Sequence, residues 1–314
     1  MNETRNNRSR PIGVFDSGIG GLTVFREMLR HLSGEELVYF GDAARVPYGT
    51  KSGETVTRFS LEAAEFLIEH ENIKAMVVAC YTASAYAIPA LEERLDIPIV
   101  GVIESGARAA VDVTDGGCIG VIGTRATVAS GAYERAIHKF SPGTEIITRA
   151  CPLFVPLAEE GWTDHDVTRR VAEEYLAPIK ERGVRSLILG CTHYPLLKGV
   201  IGEVMGPGVT LVDAGEYTAH ALAERLGGVV ETEGQPEPEH RIFLTDQPQA
   251  FRTISERFLG RPLPPVELVT WRQEGWVRTR TKESRDGPRR RSIRRRAASP
   301  QDHPWQSQTG RGFG

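Results

Sequence analysis

Two cysteines follow two similar apolar segments, and they are the residues of this sequence best suited to chemistry. Cys80 follows the segment 76–79, Cys191 follows the segment 187–190, and both are followed by polar, hydroxyl-bearing residues. A short β-type segment that ends in a small residue predicts a strand, and the carboxyl ends of parallel strands line the crevice where open α/β sheets bind ligands. Two thiols on opposite walls of one cleft suit a reaction that needs two proton-transfer groups.

The thiol chemistry has a simple form. A free thiol has a pKa of about 8.5, which nearby donors or positive charge lower. A thiolate on one face of a carbon acid removes a proton, and a thiol on the other face returns one, so the pair inverts a stereocentre without a cofactor. The alternative is that both cysteines are small buried residues that only pack. His193, two residues after Cys191, favours chemistry because its imidazole can tune the thiol or protonate a reacting species.

A glycine-rich turn, 16–21, follows the first predicted strand and precedes a helix. A dinucleotide fingerprint is disfavoured because its third glycine is replaced by Thr23, although Asp42 falls where a ribose-binding acid would lie. The favoured interpretation is a turn in which the backbone N–H groups and the Ser17 hydroxyl bind a carboxylate at a helix N-terminus. Asp16 is then either an N-cap or a group that orients a thiol or a substrate ammonium.

Strand-like and helical segments alternate along the chain, which predicts α/β architecture with parallel sheets. The order strand, helix, strand, helix, strand, cysteine occurs twice and indicates an internal duplication. We therefore predict two similar open parallel-sheet domains related by pseudo-symmetry. The loop 45–51, which contains Tyr48 and Gly49, is either a plain strand–helix connection or a source of contacts to a small polar substrate.

Composition limits the class of protein. The 314 residues are 40% hydrophobic and include 33 glycines, as expected of a soluble α/β protein. No apolar run of about 18 residues predicts a transmembrane helix, and the polar segment 1–10 does not resemble a signal peptide, so we expect a cytoplasmic protein with no membrane partner. Four cysteines without a CxxC motif predict free thiols rather than disulfides or a structural zinc site.

The C-terminal segment differs in charge from the rest of the chain. From Arg278 onward there are ten arginines and one lysine against three acidic residues, a net charge of +8, while the rest of the chain carries −11. With almost nothing apolar to bury, 278–314 is predicted to be a disordered tail, as is the polar segment 1–10. Weak, salt-sensitive contact of the tail with nucleic acid or an anionic surface is the less favoured alternative.

Several segments together resemble a known family. They are 13–24, 39–42, 47–49, 78–85, 121–124 and 189–197. In this order they resemble the glutamate racemases of the aspartate/glutamate racemase superfamily, over residues 11–260. The segment Cys-Thr-His-Tyr-Pro-Leu-Leu, which begins at Cys191, favours the glutamate branch over aspartate racemases.

The resemblance implies that the protein interconverts L- and D-glutamate, without a cofactor or metal, and supplies D-glutamate for peptidoglycan. Cys80 and Cys191 would be the acid/base pair, each serving one enantiomer, and Glu159 would support the second thiol. Substrate contacts would come from Asp16, Ser17, Tyr48, Gly49, Thr82, Thr124, Thr192 and His193.

The resemblance also implies a domain organisation. The first domain would comprise 11–102 and 213–265 and would carry Cys80. An inserted second domain, 103–212, would carry Cys191. The active site would lie in the cleft between the two domains. A homodimer is left open.

The sequence departs from the family pattern beside the first thiol. The family has Asn directly after this cysteine, where the chain has Tyr81, and it usually has Pro where the chain has Ser105. We therefore place Tyr81 among the substrate-binding residues, where it replaces an amide and offers one hydroxyl instead of two N–H donors. Besides an active glutamate racemase, the sequence therefore leaves open a protein of this fold with impaired catalysis and a binding or regulatory role, and a racemase for a different amino acid.

Overall fold

Two sheets supply the strand ends that carry the cysteines. In the computed structural model, residues 10–228, 238–247, 251–272 and 275–279 are described. The strands of this part of the chain are β1 (Ile12–Asp16), β2 (Leu37–Gly41), β3 (Ala75–Val78), β4 (Ile99–Gly101), β5 (Ile119–Gly123), β6 (Ile146–Ala150), β7 (Ser186–Gly190), β8 (Thr210–Val212), β9 (Arg241–Leu244), β10 (Val266–Arg272) and β11 (Gly275–Thr279).

Helices connect these strands and cover both faces of the sheets. The α-helices are α1 (Leu22–His31), α2 (Gly53–Glu71), α3 (Tyr81–Tyr86), α4 (Ile88–Arg94), α5 (Val102–Val113), α6 (Arg125–Ala129), α7 (Ala132–Phe140), α8 (Phe154–Glu159), α9 (Asp166–Glu181), α10 (Lys198–Met205), α11 (Ala214–Arg225) and α12 (Phe251–Leu259). Short 3₁₀ helices follow β2 and β7. Strands β1, β2, β5 and β7 are buried along their whole length, as in parallel sheets covered on both faces.

The strand order repeats in the two sheets. One has the order β11-β10-β9-β2-β1-β3-β4, and the other has the order β6-β5-β7-β8. The segment β2-β1-β3-β4 of the first thus has the same order as the whole second sheet, with every pair parallel. This match confirms the predicted α/β class with two similar parallel sheets. The first sheet is extended by an antiparallel pair, β10 and β11, which the sequence did not predict.

The strand order explains why both cysteines lie at ligand-binding positions. The connection that leaves β1 runs to β2 on one side, whereas the connection that leaves β3 runs to β4 on the other side, and β5 and β7 repeat this arrangement. Such a switch point opens a crevice at the carboxyl ends of the strands. Cys80 follows β3 and Cys191 follows β7, the equivalent strands.

The helices between the sheets share one core. Helices α1, α5, α7 and α11 bury their apolar residues in a single cluster that also contains strand residues of both sheets. Helix α5 was missed in the sequence, where 97–102 was predicted to be a strand; only Ile99–Gly101 is, and Val102 begins the helix. Its small residues, Ser105, Gly106 and Ala109 among them, allow the neighbouring helices to pack closely.

Both predicted chain ends need correction. Arg10, placed in a disordered N-terminus, donates hydrogen bonds to the carbonyls of Asn72 (2.7 Å) and Ile73 (2.6 Å). The first sheet continues past residue 265 through β10 and β11. Arg278, placed in the disordered tail, lies in β11 and pairs with Glu71 and Glu267, because these carboxylates neutralise its charge. The predictions for 1–9 and 280–314 fall outside the described residues.

The two-domain division stays a prediction. The strands of the four-stranded sheet all lie within 103–212, while those of the seven-stranded sheet lie before and after it. The described residues belong to one compact unit. No helix in this part of the chain is long and apolar enough to cross a membrane.

Candidate active site

Cys80 lies at the start of α3 and is held there by its own sulfur. Its Sγ accepts a hydrogen bond from the N–H of Ala83 (3.5 Å), in the manner of an N-cap, and its thiol donates to Ser17 Oγ (3.3 Å). The side chain is buried. Burial, reinforced by the negative charge of Asp16, raises the pKa of Cys80 to about 12. Cys80 is therefore a protonated thiol at neutral pH and can act as an acid.

Asp16 ends β1 and directs a carboxylate into the same crevice. Its Oδ2 accepts a hydrogen bond from the N–H of Gly18 (2.9 Å), whereas Oδ1 is buried and has no hydrogen-bond partner. Burial raises the pKa of Asp16, although the N–H of Gly18 and the charge of His193 oppose this effect. A buried carboxylate oxygen without a partner is costly, and an ammonium group would satisfy it.

Cys191 is followed by a proton-carrying imidazole. Its Sγ lies 3.8 Å from His193 Nδ1, and His193 Nε2 lies 3.0 Å from Glu159 Oε1. Burial lowers the pKa of His193, but the hydrogen bonds to Cys191 and Glu159 outweigh it and raise the pKa to about 10. An imidazolium here can stabilise negative charge on the sulfur of Cys191, so this thiol is equipped to act as a base.

The backbone turns directly after each thiol, into an α-helix after Cys80 and towards a 3₁₀ helix after Cys191. After Cys80, the first helical hydrogen bond runs from the N–H of Ser84 to the carbonyl of Cys80 (2.7 Å). After Cys191, the N–H of Tyr194 donates to the Cys191 carbonyl (3.1 Å). The amides just after each cysteine therefore precede the first turn, where N–H groups lack intrahelical partners and favour anions. Thr82, two residues after Cys80, and Thr192, one residue after Cys191, lie in these turns and add a hydroxyl each.

Hydroxyl groups join the two halves of the site. Thr82, from the first half, lies 3.0 Å from Thr124 and 3.1 Å from Thr127, both from the second, measured between Oγ1 atoms. Thr23 Oγ1 donates to the Thr192 carbonyl (3.0 Å) across the same boundary. These contacts place residues that are far apart in the sequence on one crevice.

Two glycines permit the close approach of the halves. A Cβ on Gly49 would lie 2.7 Å from Thr124 Cβ, and a Cβ on Gly20 would lie 2.5 Å from His193 Cε1. Neither atom fits without displacing its neighbour. Gly49, a predicted site residue, therefore lies against Thr124, another predicted site residue, and acts there by its lack of a side chain.

Tyr48 is in the crevice region, but its hydroxyl is already used. It is buried and donates to Asp42 Oδ2 (2.5 Å), which also accepts from Arg45 Nε (2.7 Å). Burial and the charge of Asp42 raise the pKa of Tyr48, so the hydroxyl keeps its proton. The predicted substrate contact of Tyr48 cannot use this donor without breaking the hydrogen bond.

Tyr81, a predicted substrate-binding residue, is buried in the core that the two halves share, and Cys191 is among the groups that act on its hydroxyl. Its ring is 2% exposed and packs in the same hydrophobic cluster as Tyr133 and Ala214. Its hydroxyl has no hydrogen-bond partner by ordinary geometry and lies near the N–H of Ala214. The larger side chain is thus accommodated between the two halves. Burial, together with the neighbouring Tyr133 and Asp213, raises its pKa well above the usual value.

The structure adds Phe258 and Thr127, which the sequence did not single out, and gives Asp42 a role other than the ribose contact considered above. Phe258, from α12, packs its ring edge-on against the His193 imidazole with centroids 5.0 Å apart. Thr127 completes the hydroxyl group around Thr124, and Asp42 anchors Tyr48. Asp42 carried a signal, because it follows β2 as Asp16 ends β1, but Phe258 carried none, since an apolar residue in an amphipathic helix predicts only packing.

Comparison with known proteins agrees with this fold and shows the family. The model of the Asp/Glu/Hydantoin racemase family matches residues 12–222, so the chain belongs to that family. It is 54% identical over 266 residues to the glutamate racemase of Geobacter metallireducens, covering 84% of this chain and 98% of that protein.

Solved structures of glutamate racemases are also similar. That of an isoform from Bacillus anthracis has a TM-score of 0.77 and 41% identity, covering 82% of this chain and 97% of that one. The Francisella tularensis enzyme, solved with D-glutamate, has a TM-score of 0.77 and 38% identity, covering 84% of this chain and 98% of that one.

Proposed function

We propose that this protein interconverts L- and D-glutamate, with no cofactor, and so supplies D-glutamate for peptidoglycan synthesis. One of Cys80 and Cys191 removes the α-proton, and the other donates its own proton to the opposite face of the α-carbon. The observation that carries the proposal is the placement of two buried thiols after equivalent strands of two sheets with the same strand order. The relatives named above support glutamate as the substrate.

The reaction consumes and releases no net proton. One cysteine, as thiolate, takes the α-proton and becomes a thiol, while the other thiol gives its proton to the opposite face of the α-carbon and becomes a thiolate. In the resting protein the high pKa of Cys80 and the imidazolium beside Cys191 suit an acid and a base respectively. The reverse reaction starts from the exchanged protonation states, which the reaction itself produces.

The surrounding groups suit a substrate with one ammonium and two carboxylates. We assign the unpartnered Oδ1 of Asp16 to the ammonium. The amides and hydroxyls of Thr82 and Thr192, with the Ser17 hydroxyl, would hold carboxylates and stabilise the carbanion-like transition state. Thr124 would assist through its contact with Thr82.

Replacement of each cysteine tests the pair against matched controls. Circular dichroism should show loss of L-to-D and D-to-L conversion by about a hundred- to ten-thousandfold in Cys80→Ala and in Cys191→Ala. Cys118→Ala and Cys151→Ala, which change the two other buried cysteines, should keep the natural rate. In D₂O, a variant with one cysteine can still exchange the α-proton on one face, without inversion.

Two outcomes would overturn the proposal. One is racemisation at the natural rate in either variant, Cys80→Ala or Cys191→Ala. The other is turnover of a different amino acid in a panel with L-aspartate while L-glutamate is left unchanged. The placement of the Tyr81 ring in the core gives no support to impaired catalysis, and the natural protein should racemise glutamate as well as Tyr81→Asn does.

We also propose that the protein acts in the cytoplasm, in keeping with four unpaired cysteines, which a reducing compartment preserves. A homodimer stays a prediction, and sedimentation equilibrium at micromolar concentration tests it.

A further inference from the structure

A cluster of three potential metal ligands lies outside the crevice, where helix α1 packs against helix α11. His31 is the last residue of α1, and Glu216 and His220 are one turn apart on α11. One ligand atom from each of the three lies within 4.8 Å of the others. No other such group occurs among the described residues.

The three side chains converge because of the two helices that carry them. Residues four apart on a helix lie on one face, and Glu216 Oε1 is 3.8 Å from His220 Nε2. The His220 ring faces His31 across the helix contact, with centroids 4.8 Å apart and planes tilted by 56°. Helices α1 and α11 are held together by buried apolar residues, Leu22 and Leu222 among them. Metal binding would therefore require only rotations of the three ligand side chains.

The distances are compatible with coordination. Two ligands at about 2.1 Å from a tetrahedral ion lie about 3.4 Å apart, so ligand atoms that lie within 4.8 Å of one another need to approach by at most about 1.4 Å. The side chains are between 29% and 59% exposed, so an ion can reach them and water can complete its shell. Glu27 Oε2 lies 4.0 Å from His31 Nε2, beyond hydrogen-bond distance, and Glu27 pairs with Arg26 and Arg30, so it is not one of the ligands.

We propose that His31, Glu216 and His220 form a binding site for a divalent transition-metal ion of the zinc class, which cross-links α1 to α11. Two imidazoles and one carboxylate are ligands for zinc, nickel or copper, whereas magnesium and calcium prefer oxygen-only shells. The ion would have three protein ligands and an open position for water. It would take no part in proton transfer.

The cross-link has a structural meaning. Helix α1 begins at Leu22, directly after the turn that carries Asp16 and Ser17, and α11 begins directly after the strand–helix junction at Asp213. The ion would join chain segments about 190 residues apart, and a ligand that binds only the folded state stabilises it. We therefore expect the metal to raise the thermal midpoint of unfolding.

Zinc titration of the full chain, without a histidine tag, tests the site. Calorimetry should detect a zinc site that is separate from any thiol-bound zinc and that His31→Ala and His220→Ala each weaken by about tenfold or more. The matched control is His138→Ala, because Glu134 and His138 form the same four-residue spacing on α7, and among the described residues no third ligand joins them. Zinc bound by thiols would be common to all variants and would not distinguish them.

The result expected is a zinc-dependent rise in the unfolding midpoint of the natural protein and of His138→Ala, with a smaller rise in His31→Ala and His220→Ala. Mg²⁺ should produce no such rise in any variant. Equal zinc affinity and an equal thermal shift in all four proteins would overturn the site. Circular dichroism of the metal-free variants shows whether each is folded, and the two histidine variants provide independent tests on different helices.

Discussion

Removing the charge of Glu159 should change the pH dependence of racemisation more than its rate at neutral pH. Glu159 accepts a hydrogen bond from His193 Nε2 at 3.0 Å, and this contact helps to raise the pKa of the imidazole to about 10. The Glu159 side chain is 40% exposed, so solvent screens the pair. We take its contribution as about 1 kcal/mol, which is about 0.7 pKa unit.

The expected effect of Glu159→Gln follows from this shift. Lowering the pKa of His193 from about 10 to about 9.3 leaves about 95% of the imidazole protonated at pH 8, against about 99% in the natural protein. At pH 10 the protonated fraction falls from about a half to about a sixth. If the imidazolium supports Cys191, kcat should be nearly unchanged at pH 8 and about threefold lower at pH 10.

Steady-state kinetics across this range, in both directions, measure the shift. Enantiomers have equal free energies, so kcat/KM must be equal for L- and D-glutamate in every variant, which checks the data internally. NMR of the imidazole gives the His193 pKa directly. Glu160→Gln, a change of the adjacent exposed carboxylate, is the control. The reasoning would be refuted if, in Glu159→Gln, neither the fall of kcat at high pH nor the His193 pKa measured by NMR differed from the natural protein.

Other changes have distinct expected outcomes. Asp16→Asn should abolish racemisation yet stabilise the fold. Because the pKa of Asp16 is higher in the folded protein than its value of 3.8 in the unfolded chain, the ionised carboxylate lowers the free energy of unfolding above about pH 4. Urea unfolding of the variant should therefore show a gain in stability at pH 7 but not at pH 3. Tyr81→Phe should change stability little, because the lost hydroxyl has no partner, whereas Tyr81→Asn should cost about 2–4 kcal/mol by leaving a cavity, as measured by chemical denaturation. Gly20→Ala should lower kcat, because the added Cβ displaces His193. Gly199→Ala, where an added Cβ meets open space, should instead stabilise α10 by up to about 1 kcal/mol. Kinetics and thermal unfolding of the two variants separate these effects.

The strand ends and the two thiols could be predicted because they depend on local sequence. Continuous apolar runs that end in small residues mark buried parallel strands, so Cys80 and Cys191 could be placed at strand ends without a structure. The repeated order of elements also predicted two similar sheets. The two extra strands β10 and β11 were missed, because the segment 266–279 mixes apolar and charged residues and its strands are stabilised by pairing with distant parts of the chain.

The direction of polar side chains could not be predicted in the same way. Tyr48 lies in a loop that, by the resemblance, belongs to the site. Its hydroxyl donates a hydrogen bond to Asp42, and only the turn of the loop brings these two side chains together. Tyr81 follows a predicted site cysteine, yet its ring enters the core beside Tyr133. Neither outcome has a sequence signature, since both depend on which partner is nearest after folding.

The sequence by itself determined the architecture, the family resemblance and the two thiols, because strand periodicity, turn glycines and cysteine position are properties of short segments. Tertiary structure alone decided the chemistry around the thiols. It brought Glu159 and Phe258 to His193, set the Asp16 carboxylate in a buried crevice, and placed His31 beside His220. The physical reason is that pKa values, hydrogen-bond partners and ligand clusters depend on burial and on contacts between residues that are distant in the chain.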